Sequence, residues 1–192
     1  MALVLEASET VLITNAQRGD RNAFSELVRI HAQGVLNVIY HMCGNRQLAE
    51  DAAQETFIKA WLDFGSFRPQ ASLRNWLYRI AINTAIDMLR KQKRILPGAL
   101  EDYQLRDPQL SPEAHYLQNE RTALVQKVTL SLPATSRAVL VLREYEGLSY
   151  QEIADALNIP IGTVMSRLNH ARDLLRSQLA EHLSALMEAE SV

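Results

Sequence analysis

The sequence predicts an all-α protein of two small helical domains joined by a flexible acidic linker, and three observations carry that reading. The long segments repeat their apolar residues at helical spacing rather than by alternation. Only seven glycines and six prolines interrupt 192 residues. The stretch from Leu96 to Pro112 loses the period, contains Pro97, Gly98, Pro108 and Pro112, and sets Glu101, Asp102 and Asp107 against Arg106 alone. The domains are therefore expected at 1–95 and 113–192, with the linker at 96–112.

Four helices are expected in the first half, at roughly Ser8 to Gln17, Asp20 to Met42, Arg46 to Phe64 and Ser72 to Arg94. Turns separate them at Arg18-Gly19-Asp20, at Gly44-Asn45 and from Gly65 to Ala71. The Arg-Gly-Asp triplet invites a cell-adhesion reading, but no export signal precedes it. A turn followed by an Asp N-cap accounts for it better. Two helices follow the linker, at roughly Glu113 to Leu130 and Pro133 to Glu146, with Pro133 suited to a first helical turn.

The segment GLSYQEIADALNIPIGTVMSRLNHAR has the form of a helix-turn-helix. Gly147 can take the left-handed conformation that ends a helix, and Ser149 with Glu152 three residues later makes a capping box for the next. Ile153, Ala154 and Leu157 share one face of that helix. Asn158 tolerates the turn, and Pro160 stops the first helix from running on. The second helix begins near Gly162 and Thr163 and turns Val164, Leu168, Ala171 and Leu175 inward. Its opposite face carries Met165, Ser166, Asn169, His170, Arg172 and Arg176. In such motifs the outward face enters the major groove, and arginines along it meet phosphates. An ordinary helical hairpin with a solvated polar face is the plainer alternative.

Charge sharpens the question. The net charge is -2, unusual for a protein that grips DNA unaided. Yet from Arg68 to Arg94 there are seven basic residues, Arg68, Arg74, Arg79, Arg90, Lys91, Lys93 and Arg94, against one acid, Asp87. In SLRNWLYRIAINTAIDMLRKQKR most of the helix is apolar, leaving a narrow polar stripe at Arg79, Asn83, Asp87, Arg90 and Arg94. Basic residues beside Phe64, Phe67, Trp76 and Tyr78 suit single-stranded nucleic acid, where cations track the backbone and rings receive bases. The plainer reading makes Trp76 and the phenylalanines core, with Arg90 to Arg94 favouring the helix C-terminus.

Other classes are disfavoured. No stretch approaches the length of a membrane span, and MALVLEASET lacks the basic and apolar regions of a signal peptide. A single cysteine, Cys43, rules out an internal disulfide framework and points to a reducing cytoplasm. A metal enzyme would have to use His31, His41, Cys43 and Glu50, which form no compact ligand motif. No metal, cofactor or small-molecule substrate is expected.

DAAQETFIKAW at Asp51 to Trp61, WLYRIAIN followed by Asp87 and RKQKR, then LP and LREYEGLSYQEIADALNIPIGTVMSRL downstream, together resemble the extracytoplasmic-function sigma factors of bacterial RNA polymerase, sigma-E-like members included. The resemblance runs from Gly19 to Arg176 in the family's order and spacing. It implies a transcription initiation factor without enzymatic activity, whose region 2 and region 4 correspond to the two domains. It implies that Asp51, Gln54 and Glu55 bind the coiled coil of the polymerase β′ subunit, leaving Phe57, Ile58 and Trp61 for packing. The second domain would meet the β flap, and the acidic linker would thread the RNA exit path. Arg68, Trp76, Tyr78, Arg79, Asn83, Arg90 and Arg94 would contact the minus-ten element as it opens. Thr163, Met165, Ser166, Arg167, Asn169, His170 and Arg172 would read the minus-thirty-five element. An anti-sigma factor, often anchored in the inner membrane, is the implied regulator of a cytoplasmic protein.

The sequence departs from the family where bases are read. Many members have arginine at the positions of Met165 and His170 and an aromatic at Asn169. Arginine reads guanine bidentately, methionine offers apolar contact and asparagine prefers adenine, so a different upstream element is expected. The alternative function is an autonomous helix-turn-helix regulator. A gel shift with and without core polymerase separates the two.

Overall fold

The structure, a computed structural model, describes residues 2–68, 72–95 and 115–189. Among them it has eight α-helices and no strand: α1 Ala2–Gln17, α2 Arg21–Cys43, α3 Arg46–Asp63, α4 Leu73–Ile95, α5 His115–Ser131, α6 Ala134–Glu144, α7 Tyr150–Leu157 and α8 Ile161–Ala189. A single 3-10 turn, Phe64–Ser66, follows α3. The linker expected at 96–112 lies outside the described residues.

Local chemistry sets most boundaries where the sequence puts them. Asp20 caps α2 by accepting from the backbone N–H of Asn22 at 2.9 Å and of Ala23 at 3.2 Å. Gly44 ends α2 at φ +70°, and Asn45 caps α3 by accepting from Leu48 N–H. α1 starts at Ala2 rather than Ser8, since 2–8 holds no glycine or proline to stop helix propagation. Pro133 is the N-cap of α6 rather than its first-turn residue.

In the first module α2, α3 and α4 pack on one another, and α1 lies along α2. α3 makes its contact through small residues, Ala49, Ala52, Thr56 and Ala60, all fully buried. Small side chains let two helix axes approach closely, and Thr56 donates its hydroxyl to Ala52 O at 2.7 Å. That choice of face corrects one expectation: Ile58 does not pack. It is 61% exposed because it lies nearly opposite Thr56 on the helix. Phe57 and Trp61 are half-buried, and Trp61 meets Phe24 at 4.9 Å between ring centroids.

The second module is α5 to α8. Ile153, Val164, Leu168 and Ala171 have no exposed surface, so the framework of the helix-turn-helix is a dry core backed by α6. Its turns take the expected conformations, Gly147 at φ +69° and Asn158 at φ 52°, ψ 51°. The capping box closes in both directions: Glu152 N–H donates to Ser149 Oγ at 3.2 Å and Ser149 N–H to Glu152 Oε2 at 2.8 Å.

The two modules are packed together. α2 meets α5 and α6, and α4 meets α7. Arg137 of α6 is buried and donates to the backbone carbonyls of Met42, Leu130 and Leu132. His41 stacks on Tyr145 at 3.6 Å, and Leu130 rests on the bare Cα of Gly44. Replacing Leu168 by Ala should lower unfolding stability by about 3 kcal/mol, since it opens a cavity among residues that cannot collapse around it. Urea unfolding of the two proteins measures the difference.

Candidate nucleic-acid and protein-binding surfaces

Three surfaces emerge from this framework. The first is the outward face of α8. With Val164, Leu168 and Ala171 turned inward, Met165 is 48% exposed and Ser166, Asn169 and His170 are exposed beside it. Thr163 and Arg167 are half-buried at the flanks of this face. Ser166 turns its hydroxyl back to Thr163 O at 3.1 Å. Arg172 behaves differently from the others. Its guanidinium holds Glu144 at 2.8 Å, bracing α8 against the end of α6.

The second surface is the polar stripe of α4. Asn83 is exposed one turn beyond the half-buried Arg79, and Arg90 is exposed two turns further on, with Asp87 at 3.7 Å from it. Arg68 is exposed beyond the 3-10 turn. Arg94 lies in the helix, but its side chain falls outside the described residues. Trp76 and Tyr78 are not on the stripe. Trp76 is 9% exposed and packs against Phe64 and Phe67 at 5.9 and 5.3 Å, the plainer reading of the two offered by the sequence. Tyr78 is 3% exposed and passes over Gly34 of α2, where a Cβ would lie 2.6 Å from its hydroxyl. That hydroxyl donates to the carboxylate of Glu146, and burial pushes its pKa well above the phenol range, with the Glu146 bond adding to the rise.

The third surface is on α3. Asp51 and Gln54 are exposed, and Glu55 is half-buried with its carboxylate 2.7 Å from Lys59. The hydrogen bond from Lys59 holds its carboxyl below the usual range. Ile58 and Leu62, 61% and 75% exposed, continue the same face at four-residue steps. Sequence reasoning missed this apolar extension. The signal was available: two large aliphatics opposite a run of alanines.

The side chains considered for metal binding are scattered. His31 pairs with Glu9 at 2.7 Å, Glu50 with Arg46 at 2.9 Å, and His41 lies under Tyr145. Cys43 is buried, and burial pushes its thiol up to about 11 against the opposing pull of Arg137. Among the described residues no group of three such side chains could hold a metal ion. Among them, too, no helix is long and apolar enough to cross a membrane.

An exposed recognition-type helix in one module and a basic polar helix in the other define a nucleic-acid-binding protein with two contact surfaces. Comparison with known proteins narrows the class. Residues 27–95 match the model of Sigma-70 region 2, and residues 122–175 that of Sigma-70 region 4. The chain is 37% identical to the RNA polymerase sigma-H factor of Pseudomonas aeruginosa over 187 residues, covering 92% of this chain and 96% of that one. It is 35% identical to the ECF sigma factor SigW of Bacillus subtilis, over 88% of this chain and 95% of the relative. Among solved structures, CnrH in complex with the cytosolic domain of CnrY is similar, with a TM-score of 0.68 and 26% identity over 91% of this chain and 98% of CnrH. So is RpoE of Bartonella quintana in complex with the anti-sigma factor NepR, at 0.63 and 25%, over 82% and 96%. The chain belongs to the sigma-70 family of RNA polymerase sigma factors, in its extracytoplasmic-function group. It is a transcription initiation factor that binds core polymerase and directs it to promoters.

The His41–Tyr145 stack has a pH signature. Burial lowers the pKa of His41 below the ordinary imidazole value, so the unfolded chain takes up this proton first as pH falls. The contribution of His41 to stability is therefore full above about pH 6.5 and is lost progressively below it. Between pH 7.5 and 5.5, the thermal midpoint of the native protein should fall further than that of His41→Asn.

Proposed function

We propose that the work of initiation is divided among these surfaces as follows. The module at 1–95 binds core polymerase and opens the minus-ten element, and the module at 113–192 reads the minus-thirty-five element, with 96–112 as the connection. Asp51, Gln54 and Glu55 dock on the coiled coil of the β′ subunit, and Ile58 and Leu62 extend that contact. Arg68, Arg79, Asn83, Arg90 and Arg94 follow the opened strand. Trp76 supports the ring cluster behind it, and Tyr78 becomes available when the modules part. On α8, Met165, Ser166, Asn169 and His170 face bases. Thr163 and Arg167 flank them, and Arg172 reaches phosphate from its brace on Glu144. The second module also meets the β flap.

The observation that carries this reading is the arrangement of exposed residues on α3. Carboxylate and amide side chains next to two uncovered aliphatics fit a protein partner, because large apolar side chains in a contiguous stripe are costly to leave in water. The protein acts by binding and placement and performs no chemical step. Its place is the cytoplasm, where polymerase is, and an anti-sigma factor controls it by covering the polymerase-facing surfaces. The complex of RpoE from Bartonella quintana with NepR supports that partner class.

Reconstituted run-off transcription tests the assignment: core polymerase with this chain should give a promoter-specific transcript, and Ile58→Asp with Leu62→Asp should reduce it more than tenfold at limiting protein. A transcript unaffected by that pair would remove α3 from the interface. Changing Met165 to Arg should shift the preference at one or two upstream positions toward guanine, read from a randomised promoter library.

A further inference from the structure

The turn between α1 and α2 presents two arginines, Arg18 and Arg21, both exposed, on either side of Gly19 and Asp20. The turn itself is fixed. Asn15 O accepts from Arg18 N–H at 3.0 Å and from Asp20 N–H at 3.1 Å, Gly19 takes φ +91°, and the Asp20 carboxylate caps α2. Two contacts set this turn against the 3-10 turn that follows α3. Gln17 donates its side-chain amide to Phe67 O at 2.7 Å, and the Phe24 ring meets that of Phe64 at 5.2 Å. Gln17 immediately precedes Arg18 and Phe67 immediately precedes Arg68, so one hydrogen bond ties together the two points from which these arginines leave the surface. Against Arg18, Arg21 and Arg68 the segments 17–24 and 63–68 set only Asp20, held in its cap, and Asp63. Among the described residues the ion pairs of arginine lie elsewhere, at Arg29, Arg46, Arg74, Arg90, Arg172 and Arg176.

We infer that Arg18, Arg21 and Arg68 form one phosphate-binding edge, which carries the opened strand past the N-terminal end of α4 and onto the α1–α2 turn. The polar stripe runs from Arg90 through Arg79 toward the start of α4, and Arg68 lies in the chain just before that start. A strand that follows the stripe leaves α4 there, with Arg18 and Arg21 on the adjoining turn. The rings of this region are turned inward, Phe64 and Phe67 buried and Phe24 half-buried, so the edge offers guanidinium groups and no surface for stacking a base. Guanidinium matches the geometry of phosphate oxygens, and contacts of that kind fix the path of a strand without reading its sequence. In the Arg-Gly-Asp triplet, glycine and aspartate build the turn and arginine is the group it presents. The inference rests on the assignment of α4 to the opened strand, and it adds a DNA contact on the first two helices.

The test uses purified holoenzyme, the full chain on core polymerase, with a fluorescein-labelled fork probe cut from the promoter that gives the run-off transcript. The probe keeps the minus-thirty-five element as duplex and the minus-ten strand single. Anisotropy gives its affinity across a salt series. For Arg18→Gln with Arg21→Gln, the logarithm of affinity should fall less steeply with the logarithm of salt, by about 1.4, since each single-strand phosphate contact contributes about 0.7. Arg29→Gln with Arg46→Gln removes the same charge from exposed ion pairs elsewhere and should keep the native slope. Replacing one phosphate at a time by uncharged methylphosphonate then locates the contact. The native holoenzyme should lose about fivefold at one or two linkages on one side of the minus-ten element, and the Arg18, Arg21 variant should lose nothing there. Equal slopes for native and variant, or the same methylphosphonate profile in both, would overturn the inference. Arg79→Gln with Arg90→Gln keeps the premise separate. A native slope in that pair defeats the assignment of α4, whereas a slope reduced by that pair alone defeats only the phosphate edge.

Discussion

Two helices end against one guanidinium. Met42 lies in the last turn of α2, Leu130 in the last turn of α5, and Leu132 just beyond it, and all three carbonyls accept from Arg137. Helix C-termini present unsatisfied carbonyls and the negative end of the backbone dipole, so a cation is the natural group to place between them. The planar fork of arginine reaches several acceptors at once, which a lysine ammonium on a flexible stem does less rigidly. Gly44 is the other half of the constraint. Its left-handed conformation stops α2, and its missing side chain leaves room for Leu130, which any Cβ there would strike. From this point α6 runs on rigidly, laying Tyr145 over His41 and Glu146 against Tyr78.

Burying that charge lowers the pKa of Arg137 through desolvation, yet guanidinium stays protonated in proteins. Its worth lies more in geometry than in net energy. A buried charge offset only by polar acceptors returns little stability compared with an apolar side chain of the same shape. What it does is forbid alternatives, because any other docking of α6 on α2 would leave a charge in the interior without acceptors. The thiol of Cys43 beside it stays neutral, since burial outweighs the pull of the nearby cation. It therefore packs as a small apolar group.

The features read correctly from sequence are those written in local chemistry. Asp20, Gly44, Ser149, Glu152 and Asn158 act on groups within four residues, so a cap or a left-handed turn can be seen in the string itself. The inward stripe of α8 follows from spacing alone. Ile58 escaped because hydropathy counts bulk, whereas α3 chose its buried face by closeness, turning alanines inward and leaving an isoleucine outside. Arg137 escaped because nothing near it in the chain explains its burial; the carbonyl of Met42 is remote in sequence. Tyr78 looked like a ligand-facing aromatic, but its surroundings come from Gly34 and Glu146, which only the docked modules bring together.

The weak net charge can now be understood as a distribution. The basic residues crowd onto α4 and the loop before it, and the second module sets acidic groups opposite their leading edge. A pair such as Arg74 and Glu152, both 43% exposed, contributes well under about 1 kcal/mol in water. The more enclosed Tyr78–Glu146 bond adds about 1.5 to 3 kcal/mol, as hydrogen bonds to charged groups do. A junction built from several such contacts has the strength a reversible closure needs. Docking on a large partner can supply a few kcal/mol by binding only the separated arrangement, and it needs no more than that to reverse the population. A purely apolar junction of the same extent would hold harder.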